Sequence, residues 1–228
     1  MENKVKLGLF FMMVAAGIIG LLWTSLFAGL PGAGENIIPR EASKWYVGKG
    51  AEYNPTMLYA ITTDKIKFSV KIGFFSDQSG KQMVLVEIND PNNSKKISQR
   101  VSVSSPFTLG EVSDEAKPYF KTLDETIFSV RDFALEEKYL VKKAVWGTVF
   151  VGQVPQEITV TDHGKFSFEF GSATAFIVSY DIGNKENKLW IVDNLPLPVK
   201  AEIYDFDGNL QYSYELTSLQ APLTPGFS

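Results

Sequence analysis

Cysteine is absent from the chain, and histidine occurs once, at position 163. The first absence excludes disulfide staples and thiol chemistry, so whatever folds must be held by packing alone. The second removes the paired imidazoles on which most transition-metal sites and many proton relays are built. Clustered basic residues are missing as well: 22 Lys and Arg against 26 Asp and Glu give a net charge of −4, with both signs interspersed. Phosphate-dominated binding draws on grouped Lys and Arg, so nucleic acid is not an expected partner. No nucleophile elbow, phosphate loop, dinucleotide fingerprint or paired-histidine metal motif occurs. The chain therefore reads as a non-enzyme, with no catalytic, cofactor-binding or metal-ligating residue assigned and no cofactor expected.

Charge is also lacking from Leu7 to Gly34. Within that stretch Leu7 to Leu30 is almost wholly apolar, and its length corresponds to roughly 36 Å of helix, enough to cross a hydrocarbon core of about 30 Å with some tilt. A backbone in lipid must satisfy its own polar groups, which makes this segment a predicted transmembrane helix. A cleaved signal peptide would have a shorter apolar run, and Leu30-Pro31 is a poor cleavage context, so an uncleaved signal-anchor is expected. Lys4 and Lys6 precede the helix and Glu35 follows it. Basic residues stay cytoplasmic, which puts the body on the outer side of the cell membrane. Ala16, Gly20, Thr24 and Ala28 form a small-residue stripe, a common feature of membrane helices.

The body carries an internal likeness. Thr63 to Gly73 (TDKIKFSVKIG) recurs 98 residues later as Thr161 to Gly171 (TDHGKFSFEFG), with six identities. Phe68, Val70 and Ile72 alternate with polar residues, as do Phe166, Phe168 and Phe170, the period of a half-buried strand. Trp45 and Trp146 lie upstream of the two copies, and Val84 to Ile88 matches Phe176 to Tyr180 downstream. Two related antiparallel β-units are expected, packed as a β-sandwich or sharing one sheet, a choice the sequence leaves open. In the second unit, strands are expected near Ile158 to Thr161, Lys165 to Phe170, Ala175 to Tyr180, Lys188 to Val192, Val199 to Phe206 and Leu210 to Leu216. Asp207-Gly208 is expected to make a two-residue hairpin turn. Between the units, Phe120, Leu123, Ile127, Val130 and Ala134 share one helical face, and Pro118 fixes a helix start near Lys117. The fold class is mainly β: an N-terminal transmembrane helix, then two related antiparallel β-units joined by one amphipathic helix. The expected bounds are a cytoplasmic tail (1–6), the signal-anchor (7–30), a linker (31–44), the first β-unit (45–104), the helical connection (105–145), the second β-unit (146–220) and a C-terminal tail (221–228).

Three clusters invite a functional reading and resolve into simpler ones. His163 corresponds to Lys65 in the other copy, and both are expected at exposed turns. Asp205, Asp207 and Asn209 start like a calcium loop, but Leu210 stands where the loop needs Gly. Trp45, Tyr46, Trp146 and Trp190 could line an apolar cavity, though core packing is the commoner use of aromatics on alternating strands. The sequon at Asn92 falls in a turn-like stretch open to glycosylation.

Ser43 to Gly50 (SKWYVGKG), Leu189 to Asp193 (LWIVD) and Pro196 to Glu202 (PLPVKAE) resemble stretches of uncharacterised membrane-anchored surface proteins of ammonia-oxidising archaea. That resemblance implies a location at the cell surface and no activity. Lys188 to Ile203 is also similar to strand pairs of curved half-barrel lipoprotein carriers, which implies acyl-chain binding on a concave sheet face. The leading expectation is a single-pass anchored protein with a structural or recognition role in the cell envelope. Its partners would be membrane lipid through residues 7–30 and an unknown envelope protein; the alternative is an apolar-ligand or lipid carrier.

Overall fold

The structure is a computed structural model that describes residues 42–104, 108–151, 154–168 and 171–220. The expected anchor (7–30), both expected tails and nearly all of the expected linker lie outside the described residues. Among the described residues no helix is long and apolar enough to cross a membrane.

Alternating sequence produces alternating burial throughout the body. The strands are β1 (Lys44–Trp45), β2 (Thr56–Thr63), β3 (Lys67–Ser76), β4 (Gln82–Asp90), β5 (Lys95–Ser104), β6 (Thr108–Leu109), β7 (Lys138–Tyr139), β8 (Val145–Val151), β9 (Val154–Phe168), β10 (Gly171–Ile182), β11 (Lys185–Val192), β12 (Lys200–Tyr204) and β13 (Leu210–Gln220). Along β3, Phe68, Val70, Ile72 and Phe74 are buried while Lys67 and Lys71 are exposed. Eleven of the strands form one antiparallel sheet in the order β6-β5-β4-β3-β2-β13-β12-β11-β10-β9-β8, and β1 pairs with β7 apart from it.

That order answers the question the sequence left open. Both β-units lie in a single sheet, not in the two facing sheets of a sandwich, and the described residues belong to one compact unit. The join is the β2–β13 pairing, in which Ile61 faces Tyr214 and Thr56 faces Gln220. Every other neighbouring pair in the sheet is a simple meander step.

The two similar stretches adopt different local structures. Thr63 to Ile66 turns between β2 and β3, held by Thr63 Oγ1, which accepts from the backbone N–H groups of Lys65 (3.1 Å) and Ile66 (3.0 Å). Thr161 to Gly164 instead lies inside β9, so the strands expected near Ile158 to Thr161 and Lys165 to Phe170 are one continuous strand. The reason is a bulge: Asp162 pairs with Ile177 and Val160 with Val178, leaving Thr161 as the extra residue. A bulge absorbs the odd residue without reversing the chain. His163 is accordingly an exposed strand residue stacked on Phe176, ring centroids 5.8 Å apart, and not a turn residue. The β12–β13 connection also departs from expectation. Asp205 N–H donates to Asn209 O (3.0 Å) and Gly208 N–H to Asp205 O (3.1 Å), giving a three-residue loop with Gly208 at φ +79°.

One sheet face is polar. There Lys71 pairs with Glu87 at 2.7 Å and Lys200 with Glu202 at 2.9 Å, while Lys200 Nζ also lies 5.0 Å from the Trp190 ring centre. The other face holds the core and is covered by α1 (Lys117–Glu125), a 3₁₀ turn (Ile127–Val130), α2 (Arg131–Ala134) and the arm from Trp45 to Tyr53. All five residues expected on the helical face are buried, and α1 begins at Lys117. The single helix expected there is broken at Thr126 (φ −116°, ψ −91°). Thr126 Oγ1 donates back to Thr122 O (2.7 Å) and Ser129 Oγ to Thr126 O (2.7 Å), local bonds that compete with the helical ladder.

Asp90 ties this cover to the sheet. Its Oδ1 accepts from Asn92 N–H (2.9 Å) and Asn93 N–H (3.3 Å); its Oδ2 accepts from Asn93 Nδ2 (2.7 Å) and from the Tyr119 hydroxyl (2.8 Å). The Asn93 amide, then Tyr119, hold the carboxyl below the usual Asp range. A carboxyl depressed by folding contributes stability that is present above its unfolded value, near pH 4, and lost as pH falls through the folded value. Asp90→Asn is therefore expected to flatten the acid limb of a melting-temperature profile taken between about pH 5 and pH 2. An unaltered limb in circular-dichroism melts would remove Asp90 from this account.

Candidate functional site

Between the cover and the sheet opens a cleft of about 930 Å³. Its walls are the β2–β3 turn, α1 and α2; its floor is Val149 of β8, Tyr180 of β10, Ile203 of β12 and Tyr212 of β13. The floor residues are brought together by register, since Tyr212 stands opposite Ile203 across the β12–β13 ladder. Neighbouring Tyr214 stacks parallel to Tyr212 (6.4 Å, 6°) and meets Tyr59 edge-on (5.9 Å, 87°). Burial raises the phenol pKa of Tyr180, Tyr212 and Tyr214, so the floor is uncharged at any ordinary pH.

The rim is charged, and mostly negative. It carries Asp64, Asp124, Glu125 and Asp132 against Lys65 and Arg131. Arg131 is committed: Nη1 and Nη2 donate to the two oxygens of Asp124 at 2.6 and 3.0 Å, with Nε 3.8 Å from Asp132. The Asp124 hydrogen bond is the main cause of the raised Arg131 pKa. That fork holds α1 to α2 across the break at Thr126 and leaves Asp64, Glu125 and Asp132 against the single rim cation Lys65, with Glu125 also 3.7 Å from Lys121 Nζ, in a cleft floored by tyrosines. Such a pairing of π faces with nearby carboxylates suits an organic cation, a Lys or Arg side chain for example. No group of three or more His, Asp or Glu residues placed to hold a metal ion occurs among the described residues.

The residues singled out from sequence lie elsewhere. His163 faces solvent on β9, away from the cleft lining. Asp205 is engaged with its own turn: Oδ1 accepts from Asn209 N–H (2.8 Å) and Oδ2 from Asn209 Nδ2 (3.3 Å), which lowers its pKa. The aromatics considered as a cavity lining are dispersed. Trp45 and Trp146 stack in the core (5.7 Å, 13°), Trp190 is on the polar face, and Tyr46 is 37% exposed. Asn92 is exposed, with its Nδ2 donating to Lys67 O at 3.3 Å.

The sheet face on which a half-barrel carrier would seat acyl chains is occupied by the chain itself. Trp45, Leu123, Phe128, Leu195 and Leu197, from outside the sheet, are buried with its own Trp146 in one core cluster. The three stretches that carry the surface-protein resemblance meet at this plug. Trp45 Nε1 donates to Leu195 O (2.8 Å), Gly48 N–H donates to Pro196 O (2.8 Å), Tyr59 OH donates to Pro198 O (2.9 Å), and Lys49 forms an ion pair with Asp193.

No protein-family model and no curated protein matches the chain. Solved structures similar to it include MucB, at 13% identity and a TM-score of 0.47 over 79% of this chain and 57% of that one. MucB in complex with MucA(peri) matches at 10% identity and 0.45, over 79% and 54%. A DUF1329 family protein from Desulfovibrio piger matches at 10% identity and 0.21, over 77% and 93%. The chain thus spans little more than half the length of those MucB chains.

Proposed function

We propose that this chain is a non-enzymatic recognition protein of the cell envelope. Residues 7–30 tether it in the membrane, the body stands on the outer side, and the cleft receives a basic segment of a partner protein. The observation that carries the reading is the cleft's composition: an uncharged tyrosine floor under a rim with surplus carboxylate, in a body whose apolar sheet face is already filled. Acyl-chain carriage requires that face to be free, so recognition is the better-supported role.

Two measurements test it. Protease added to intact cells should remove the body, whereas protection until lysis would overturn the orientation. Fluorescence anisotropy with the full chain in detergent should show a Lys-rich peptide binding and a Glu-rich peptide of equal length not binding. Replacing Glu125 and Asp132 together by Lys should weaken the Lys-rich peptide about tenfold, with the contrast shrinking as salt rises. Equal binding of both peptides, or no effect of the double charge reversal, would sink the cleft assignment.

A further inference from the structure

The two ends of the sheet are built differently. At one end β5 carries Lys95, Lys96 and Arg100, and β6 covers Val103 and Ser104. Charged side chains along an edge strand discourage pairing with another chain. At the other end β8 (VWGTVFV) has no charged residue, and Val145 and Phe150 are 57% and 74% exposed. Its one irregularity is a bulge at Trp146, which leaves Gly147 to Val151 as a regular, uncharged edge.

The register shows which backbone groups are open. Phe150 faces Pro155 across the β8–β9 ladder, and Val151 faces Val154. Proline has no N–H, so Phe150–Pro155 is a non-hydrogen-bonded pair, and by alternation Thr148–Glu157 is another. Thr148 and Phe150 therefore turn their N–H and C=O groups away from β9, toward the open edge. These strong polar groups want a partner strand.

We infer that this partner is the β8 edge of a second copy of the chain, continuing the sheet across a twofold axis through Thr148 or Val149. The sequence is complementary to itself under that operation. With the axis at Thr148, Gly147 meets Val149; with it at Val149, Gly147 meets Val151 and Thr148 meets Phe150, and both pairings lie on the Gly147 to Val151 side of the bulge at Trp146. In either register no charge opposes another; the outward backbone groups of Thr148 find matching ones in both, and those of Phe150 in the second. An isologous contact of this kind closes as a dimer and leaves only the charged β5–β6 ends at the outside. The inference does not depend on the cleft, which opens beside β8 on the core face, whereas Phe150 projects from the opposite face.

The absence of native cysteine gives a direct test in membranes carrying the full chain. A residue on the axis neighbours its own copy, at a separation within the range a disulfide spans. Thr148→Cys or Val149→Cys alone should therefore form an oxidised dimer, at least tenfold above Ser98→Cys on the guarded edge. Adding Phe150→Lys should lower that yield about tenfold without changing the melting temperature appreciably. The inference is overturned if neither axis variant exceeds Ser98→Cys, or if Phe150→Lys leaves the yield unchanged. It is overturned equally if the Thr148 and Phe150 amides are protected from hydrogen exchange with no cross-link, because another segment would then occupy the edge.

Discussion

Trp146→Ala is expected to destabilise the folded body by about 3–5 kcal/mol, the usual range for deleting a buried indole. The ring is 2% exposed, stacks on Trp45 and lies with its centroid 6.4 Å from that of Phe133, so the arm and α2 lose a common neighbour. Its Nε1 donates to Tyr139 O at 3.0 Å, which leaves a carbonyl without its donor after truncation. Domains of this size are commonly stable by about 5–15 kcal/mol, so the loss is a large share of the total. At about 2–4 °C per kcal/mol, the melting temperature should fall by about 10 °C. Trp45→Ala should cost a similar amount through its lost bond to Leu195 O. Because the rings share a cavity, the double variant should be less damaging than the sum of the two. A drop below about 3 °C for either single variant in calorimetry would show that the stacked pair does not organise the core.

Gly50→Ala should lower stability by about 3 kcal/mol, although it adds only one methyl group. Gly50 sits at φ +85°, and a Cβ there would lie 2.0 Å from Asn194 O and 2.6 Å from its carbonyl carbon. Both are backbone atoms, so relief requires the arm to lift from the β11–β12 connection, endangering the Gly48–Pro196 and Trp45–Leu195 hydrogen bonds. Gly80→Ala isolates the conformational part of the effect. Gly80 has a similar φ of +80° with nothing within 4 Å of the added Cβ, so it should cost only about 1 kcal/mol. Chemical denaturation of the two variants side by side measures the difference. Equal losses would mean that the arm docks more loosely than its contacts imply.

Local pattern made much of this architecture legible. Phe68, Val70 and Ile72 alternate in sequence and are buried as their period demands, and Pro118 marks the helix start. What escaped were features set by pairing at a distance. A bulge at Thr161 is invisible without its partner strand, because an extra residue exists only relative to β10. Trp45 and Trp146 could be noted as counterparts, but their stacking requires the arm and β8 to arrive at one point. The cleft is the extreme case: Thr63, Glu125, Tyr180 and Tyr212 come from separate elements, and no short stretch contains its chemistry. Two signals were available. Asp124 and Arg131 lie seven residues apart in the stretch expected to be helical, a spacing that sets them on one face, and Tyr212 and Tyr214 stand two apart in an alternating strand.

The seam between β2 and β13 governs how the molecule can be made. Thr56 must meet Gln220, so the earliest strand of the sheet waits for the last before its inner edge is satisfied. Until then the nascent polypeptide holds two half-sheets with unpaired backbones, a slow and aggregation-exposed stage typical of non-local topologies. Assembly is thus completed only after synthesis has passed β13, and until then β2 is the strand whose inner edge stays longest without its partner.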